Sequence, residues 1–166
     1  MEYIDGDLLD SYIEVNTPER EYGERTVANV FSQLLRAVSH CHSSNVIHRD
    51  INPTNIMLTK NNDIRLIDFG FATQQHSTNT AKYVGDPNYT APEVFEGRTT
   101  TASDMWSLGV VLYQMVSGHL PFKQKSKALT IKDIMANEWL WRSPEFDNIS
   151  KYCKDLIKKL LQKNPK

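Results

Sequence analysis

The sequence has little of several features that would assign it to a specialised class of protein. Its 166 residues contain two cysteines, Cys41 and Cys153, which lack the spacing of a disulfide framework. Nineteen basic residues against 20 acidic ones leave a net charge of −1, which gives no reason to expect nucleic acid or an anionic membrane as a partner. The longest apolar run, at 108–116, is too short to span a bilayer, and the acidic opening at 1–7 lacks the basic start of a secretory signal. We therefore expect an intracellular protein, in the cytoplasm or the nucleus.

The composition that is present, 40% hydrophobic and 23% charged, is typical of a soluble globular domain. Apolar residues recur at helical spacing over Thr26–Cys41, and Asp104–Ser117 is apolar on nearly every face before Gly118 ends it. Further helices are expected over Ile131–Trp141 and Tyr152–Leu161. The length suits one domain, so the pattern predicts a single, mostly helical unit over residues 1–166.

Strand signals are confined to one short region. Ile56–Leu58 and Ile64–Ile67 flank a polar turn and predict a small β-hairpin. The stretch Thr73–Tyr83 is polar without periodicity, which predicts a mobile surface segment. The expected fold class is therefore mainly α with a small β-hairpin.

Three short motifs concentrate the residues suited to chemistry. His48-Arg49-Asp50 is followed by Asn55, then by Asp68-Phe69-Gly70, and later by Ala91-Pro92-Glu93. Phosphoryl transfer needs a carboxylate to take a hydroxyl proton, and metal ions between the phosphates. Asp50 is the right residue type for the base and Asp68 for a metal ligand, while Asn55 offers a second hard oxygen without adding negative charge.

These motifs, in this order, resemble the signature set of the eukaryotic protein kinases. The resemblance covers nearly all of the chain and is to the hinge and C-terminal lobe of that α+β fold. Gly85–Glu93 resembles the substrate-docking loop, and Asp104–Gly109 the signature of the central helix. Pro53 is similar to the serine/threonine type, and the tail over 141–150 is most similar to the calmodulin-dependent and AMP-activated group.

The resemblance implies a protein serine/threonine kinase that moves the γ-phosphate of Mg-ATP to a protein substrate. Asp50 would be the base, and Asn55 and Asp68 would be the Mg²⁺ ligands. Arg49 would pair with a phosphorylated residue where the activation segment carries one. The family also implies that Asp104 holds the catalytic loop and that His48 stacks on Phe69. The residues implied at the nucleotide belong to the hinge, the ribose contact and the adenine floor: Glu2, Ile4, Asp7 and Met57.

Position 52 departs from the pattern, because Asn52 stands where this loop type carries lysine. That lysine contacts the transferred phosphate in the family, so position 52 belongs to the catalytic set. An amide cannot supply its charge, and losing such a donor typically costs about 3 kcal/mol of barrier, roughly a hundredfold in rate.

Two further departures lie within the substrate-docking loop and just before it. Asp86 replaces a usual Thr or Ser, and an acidic group near Asp50 is expected to repel it, raise the pKa of one of the two carboxylates and weaken substrate docking. Lys82 stands where many relatives carry a phosphorylatable Thr, and it cannot pair with Arg49.

The glycine-rich loop and the Val-Ala-x-Lys lysine of the family do not occur in the sequence, and the arginine that would pair with Glu93 is also missing. We therefore expect a partial kinase domain, weak or inactive alone, with Glu93 unpaired and destabilising. The alternative functions are a pseudokinase or scaffold without catalysis, and a lobe that binds partners through an exposed surface formed by Met57, Phe69 and the hinge.

Overall fold

A computed structural model describes residues 4–16, 23–75, 77, 83–139, 141 and 146–164, without the side chains of 14–16. Six helices and five short strands occur in these ranges. The helices are α1 Leu9–Asn16, α2 Glu24–Ser43, α3 Pro92–Phe95, α4 Thr101–Ser117, α5 Lys127–Ala136 and α6 Lys151–Leu160. The strands are β1 Gly6–Leu8, β2 Val46–Ile47, β3 Ile56–Thr59, β4 Ile64–Leu66 and β5 Thr73–Gln74. Two 3₁₀ turns, Pro53–Asn55 and Pro87–Tyr89, complete the order.

The long helices confirm the apolar periodicity of the sequence. In α2 the buried side chains fall on one stripe, because apolar residues three and four apart share a face. Helix α4 is buried on nearly all sides, as its continuous apolar pattern predicts, and Gly118 ends it in the left-handed conformation with φ of 74°. Helix α6 packs against α4, where Gly109 allows close approach to Leu160 and Leu161. The predicted mainly α fold with a small antiparallel sheet is thus confirmed.

Helix α5 differs from its prediction: it covers Lys127–Ala136 and not 131–141. The Ser126 side chain caps its start, and Asn137 ends it with a left-handed φ of 56°. Trp139 and Trp141 lie beyond the helix, where their rings pack against each other and against Tyr113. The spacing of these two tryptophans resembles that of a helical face, which explains the prediction, but their side chains pack in this aromatic cluster outside the helix.

The predicted hairpin is confirmed as β3 and β4, which pair antiparallel with Ile56 opposite Leu66. Strand β1, which the sequence pattern did not indicate, adds a third strand by pairing with β3. Strands β2 and β5 form a second small ladder, with Ile47 opposite Thr73. The segment from Thr73 to Tyr83, predicted to be mobile and at the surface, therefore begins with regular structure, because Thr73 and Gln74 pair with strand β2. Residues 76 and 78–82 of that segment lie outside the described residues.

The core lies between α2, α4 and the helices that follow. Trp106 and Tyr113 of α4 are almost completely buried, with Trp106 stacked on Phe122 at 5.7 Å between ring centroids. Burial of such large aromatic side chains is a principal stabilising contribution in a domain of this size. Within the described ranges, no helix is long and apolar enough to cross a membrane.

Candidate active site

The loop between β2 and β3 is held by Asp104, a side chain of α4 that is 1% exposed. The backbone N–H groups of His48 and Arg49 donate to its two carboxylate oxygens at 2.9 and 3.0 Å. His42 Nε2 lies 2.8 Å from the same carboxylate, which gives this histidine a structural role. Arg49 has a left-handed φ of 69°, an unfavourable conformation that persists only when its surroundings enforce it. The expected support of the loop by Asp104 is thus confirmed.

Asp50 has both carboxylate oxygens fixed by N–H donors. Asn52 Nδ2 donates to Oδ1 at 3.1 Å, and Asn55 Nδ2 donates to Oδ2 at 2.8 Å. The backbone N–H of Asp86 adds a longer contact of 3.4 Å to Oδ1. Both asparagine amides also donate to the Asp50 carbonyl, at 3.2 and 2.9 Å. These bonds fix the orientation of a half-buried carboxylate within the loop.

Asn52, the residue that departs from the family pattern, is 6% exposed and turned into the loop. Its side-chain oxygen caps the turn Pro53–Asn55 by accepting from the Thr54 amide at 2.9 Å and from the Thr54 hydroxyl at 2.6 Å. Its amide nitrogen donates to Asp50 Oδ1. One amide therefore accepts and donates at once, which a lysine ammonium cannot do because it carries donors only.

The segment opposite Asp50 approaches it very closely through Gly85. Gly85 has a φ of 84°, and a Cβ there would lie 2.7 Å from Asp50 Oδ1, so a side chain is excluded by both conformation and space. Tyr83 donates its hydroxyl to the Gly85 carbonyl at 3.0 Å. Burial raises the pKa of the Tyr83 hydroxyl, and the charges of Asp86 and then Asp50 raise it further.

The Asp86 side chain does not bond to Asp50. Its Oδ1 accepts from the backbone N–H and from the side-chain amide of Asn88, both at 2.9 Å. Asp86 thereby forms the N-cap of the turn Pro87–Tyr89. Lys82, the other departure in this segment, lies outside the described residues.

The two expected metal ligands have side chains of the right chemistry. Asn55 turns its nitrogen toward Asp50, which leaves its oxygen as the atom available to a cation. Asp68 is exposed and has a left-handed φ of 58°, and its Oδ1 accepts from the Gly70 amide at 3.0 Å. The described residues contain no group of three or more His, Cys, Asp or Glu side chains placed so that they could hold a metal ion. Mg²⁺ does not require one, because it is usually held by one or two carboxylates together with substrate phosphates.

The described nucleotide-site candidates lie on neighbouring strands. Met57 is half-buried in β3, and β1 places Leu8 opposite Met57 and Asp7 opposite Leu58. Ile4, also half-buried, lies two residues before strand β1, whereas Glu2 lies outside the described residues. Phe69 is 47% exposed and stacks edge-on against the buried His48 at 4.8 Å, as the resemblance implied.

An open cleft of about 440 Å³ lies beside Asp50. Motif reasoning missed several residues that line it. Asp10 carries no motif signal, whereas Tyr89 stands within the docking-loop resemblance and could have been found there. Phe71 lies at the rim, where its carbonyl accepts from Arg49 Nε at 2.6 Å. The full lining is Asp10, Asp50, Asn52, Thr54, Phe71, Gly85, Asp86 and Tyr89.

Glu93, expected to be unpaired, has a partner. Its side chain is 6% exposed, and Ser103 donates its hydroxyl to Oε1 at 2.8 Å. The Ser103 oxygen also accepts from the Thr100 backbone N–H at 3.2 Å at the start of α4. Glu93 therefore has a hydrogen-bond donor from a serine on the neighbouring helix, whereas the loss of its arginine partner stays a prediction.

Comparison with known proteins gives a family match along the whole chain. The family described as "Protein kinase domain" matches residues 1–166. Calcium-dependent protein kinase 4 of Plasmodium falciparum is 36% identical over 164 residues, which is 96% of this chain and 30% of that protein. The phosphorylase b kinase gamma catalytic chain, liver/testis isoform, of Mus musculus is 35% identical over 96% of this chain and 40% of its own length. Serine/threonine-protein kinase PEPKR2 of Arabidopsis thaliana is 36% identical over 94% of this chain and 33% of its own length. The chain thus spans 30 to 40% of the length of these curated relatives.

Proposed function

This chain belongs to the protein kinase domain family, and we propose that it acts within a protein serine/threonine kinase that transfers the γ-phosphate of Mg-ATP to a protein hydroxyl. The observation that carries this proposal is the fixed carboxylate of Asp50 beside an open cleft. Donors on both of its oxygens hold one orientation, and general bases contribute only when they are positioned within hydrogen-bond reach of the proton they take.

Asp50 would accept the proton of the attacking serine or threonine hydroxyl as the hydroxyl oxygen bonds to the γ-phosphorus and the bond from that phosphorus to the bridging oxygen breaks, which releases ADP. Positioned general bases typically contribute about 10²- to 10⁴-fold in rate. Asn52 and Asn55 contribute by orientation, because their amides hold the carboxylate and leave it fewer rotamers. Asp104 acts one step further away by fixing the backbone of His48 and Arg49.

The residues present fit a magnesium-nucleotide complex. When bound, Mg²⁺ would neutralise the negative charge that develops on the phosphates during transfer. The oxygen atoms of Asn55 and Asp68 would hold it, since hard cations prefer oxygen ligands. The residues that would hold the nucleotide are Glu2, Ile4, Asp7 and Met57. We further propose that the protein acts inside the cell, in keeping with two cysteines that form no disulfide.

A non-catalytic scaffold is the second candidate, and one observation favours it. Asn52 is committed to bonds inside the loop, and no lysine or arginine occurs among the residues that line the cleft. The transferred phosphate would then lack the positive charge that phosphoryl transfer usually receives from the protein. In a scaffold the loop would keep its shape without turnover.

Phosphotransfer from Mg-ATP to a library of serine and threonine peptides separates the two functions. The protein expressed from its complete reading frame should transfer phosphate, and Asp50→Asn should reduce the rate at least about a hundredfold by removing the base. Asp155→Asn, an exposed change on α6, is the matched surface control. Equal rates for wild type and Asp50→Asn would refute catalysis by Asp50, and rates of both at the protein-free background would favour the scaffold.

Asn52→Lys provides the complementary test, because it restores the charge that the family pattern contains. If phosphate charge limits the reaction, this variant should be faster than wild type by up to about a hundredfold. A rate at or below that of wild type would show that the bonds made by Asn52 matter more than the missing charge.

A further inference from the structure

Asp86 is the most unusual residue beside Asp50, and its contacts disagree with a purely repulsive role. If charge were the main effect of Asp86, this second carboxylate in the cleft should repel the ionised carboxylate of Asp50. Instead, Oδ1 of Asp86 accepts two hydrogen bonds of 2.9 Å from Asn88, one from the backbone N–H and one from the side-chain amide. Asp86 therefore occupies the N-cap position of the turn Pro87–Tyr89, where aspartate and asparagine are both preferred.

The backbone of the same residue reaches the base. The Asp86 N–H points at Asp50 Oδ1 at 3.4 Å, and the preceding Gly85 packs against that oxygen too closely for any side chain. The cap fixes Asp86 Cα on the turn, and the N–H bonded to that Cα then depends on the φ angle of residue 86, which is −82°. A turn that lost its cap would let this N–H move away from Asp50.

The far end of the turn is anchored on the buried helix α4. Tyr89 donates its hydroxyl to Gln114 Oε1 at 2.6 Å, and Ser107 donates to the Tyr89 carbonyl at 2.7 Å. Thr90 closes the turn by donating its hydroxyl to the Asp86 carbonyl at 2.8 Å. The turn is thus fixed on α4 at one end, and the cap by Asp86 orders the end that faces the base.

We propose that Asp86 is a positioning residue that orients the Asp50 carboxylate by capping the turn Pro87–Tyr89, and that its acceptor oxygen rather than its charge performs this role. The inference rests on the proposed function only in calling Asp50 the base. The sequence suggested that the negative charge of Asp86 weakens the site, whereas the proposed role depends on its acceptor oxygen. These two roles predict different effects when Asp86 is substituted.

Three substitutions separate the acceptor from the charge. Asp86→Asn keeps a side-chain oxygen at the same position and removes the charge. Asp86→Ser also keeps an N-cap acceptor, whereas Asp86→Ala removes both acceptor and charge. If the oxygen is the working feature, asparagine and serine resemble each other and differ from alanine. If charge is the working feature, all three neutral variants behave alike.

Amide hydrogen exchange tests the cap without any enzymatic turnover. The Asn88 amide, which donates to Asp86 Oδ1, should exchange roughly 2- to 30-fold faster in Asp86→Ala than in Asp86→Asn, the factor that a lost N-cap typically gives. Circular dichroism establishes that each variant is folded, and Asp86→Ser supplies the comparison with asparagine should alanine unfold. The proposal would be overturned if the Asn88 amide exchanged equally fast in the alanine and asparagine variants. It would also be overturned if this amide exchanged as fast in the asparagine variant as in an unfolded reference.

Kinetics of the protein from its complete reading frame test the effect on Asp50. We expect kcat of Asp86→Ala to fall roughly 2- to 30-fold below that of Asp86→Asn, with little change in KM for ATP. A lower KM for the peptide in all three neutral variants, with no difference in kcat, would support the repulsive role and overturn ours. Absence of turnover in wild type would refute the proposed kinase function alone, because hydrogen exchange would still decide whether Asp86 caps the turn.

Discussion

Removal of the Asp104 carboxylate is the most direct test of how the site is supported. Asp104→Ala deletes the acceptor of two backbone N–H groups, those of His48 and Arg49, and the partner of His42. Asp104 is 1% exposed and His48 is fully buried, so water cannot readily replace the lost bonds. We expect the catalytic loop to lose its anchor and the whole domain to lose stability.

The magnitude follows from the buried donors that remain. A buried donor left without a partner costs about 1–3 kcal/mol, so the two backbone N–H groups together cost about 2–6 kcal/mol of unfolding free energy. That is a large fraction of the roughly 5–15 kcal/mol that stabilises a typical domain. Asp104→Asn keeps the shape and one acceptor oxygen, and we expect it to lose about half as much.

Urea unfolding followed by tryptophan fluorescence measures these differences, since Trp106 and its neighbours report on the packing of α4. Asp155→Ala is the matched control: this exposed carboxylate pairs with Lys159 at 2.7 Å, and we expect a change within about 0.5 kcal/mol. A loss below about 1 kcal/mol for Asp104→Ala, or no more than for the control, would refute the reasoning that these buried bonds hold the loop.

Three further changes probe close contacts and a buried thiol. Gly85→Ala should cost about 1–3 kcal/mol of unfolding free energy in urea, because φ is 84° and the new Cβ would lie 2.7 Å from Asp50 Oδ1; an unchanged midpoint would contradict this contact. Gly109→Ala should destabilise by about 1 kcal/mol in the same assay, because overpacking against Leu160, 2.8 Å from the new Cβ, exceeds the gain in helix propensity. Burial raises the pKa of Cys153 from 9.0 to about 11, so the folded state holds this proton more tightly. Unfolding free energy should therefore fall as pH rises from 9.0 to about 11, and it should fall less in Cys153→Ala; parallel pH profiles would exclude this contribution.

The local sequence was sufficient for the regular elements whose residues carry a strong period. The stripe of α2 and the continuous apolar face of α4 could be predicted because burial selects apolar residues at the spacing of the helix. The end of α5 was predicted wrongly, because Trp139 and Trp141 continue an apolar helical spacing beyond Asn137, and only the folded structure shows them packed against Tyr113. Strand β1 likewise depends on pairing with β3, which lies about fifty residues away along the chain.

The catalytic motifs were visible in the sequence because their residue types and order are distinctive, but their contacts were not. Glu93 was expected to be unpaired, yet Ser103 of α4 donates to it. Asp86 was expected to act on Asp50 by repulsion, and the sequence did not indicate that its carboxylate accepts from Asn88. A hydrogen-bond partner is chosen by distance and direction in space, and sequence order does not specify either.

By itself, then, the sequence determined the family, the mainly helical fold and the identity of Asp50 as the candidate base. These depend on local order and periodicity, which are properties of the chain. Tertiary structure alone decided that Asn52 and Asn55 hold the two oxygens of Asp50, and it defined the backbone N–H groups through which Asp104 gives the loop the support that the resemblance implied. These contacts require segments far apart in sequence to pack together, because a side chain's partners are fixed only when the core brings their elements into contact.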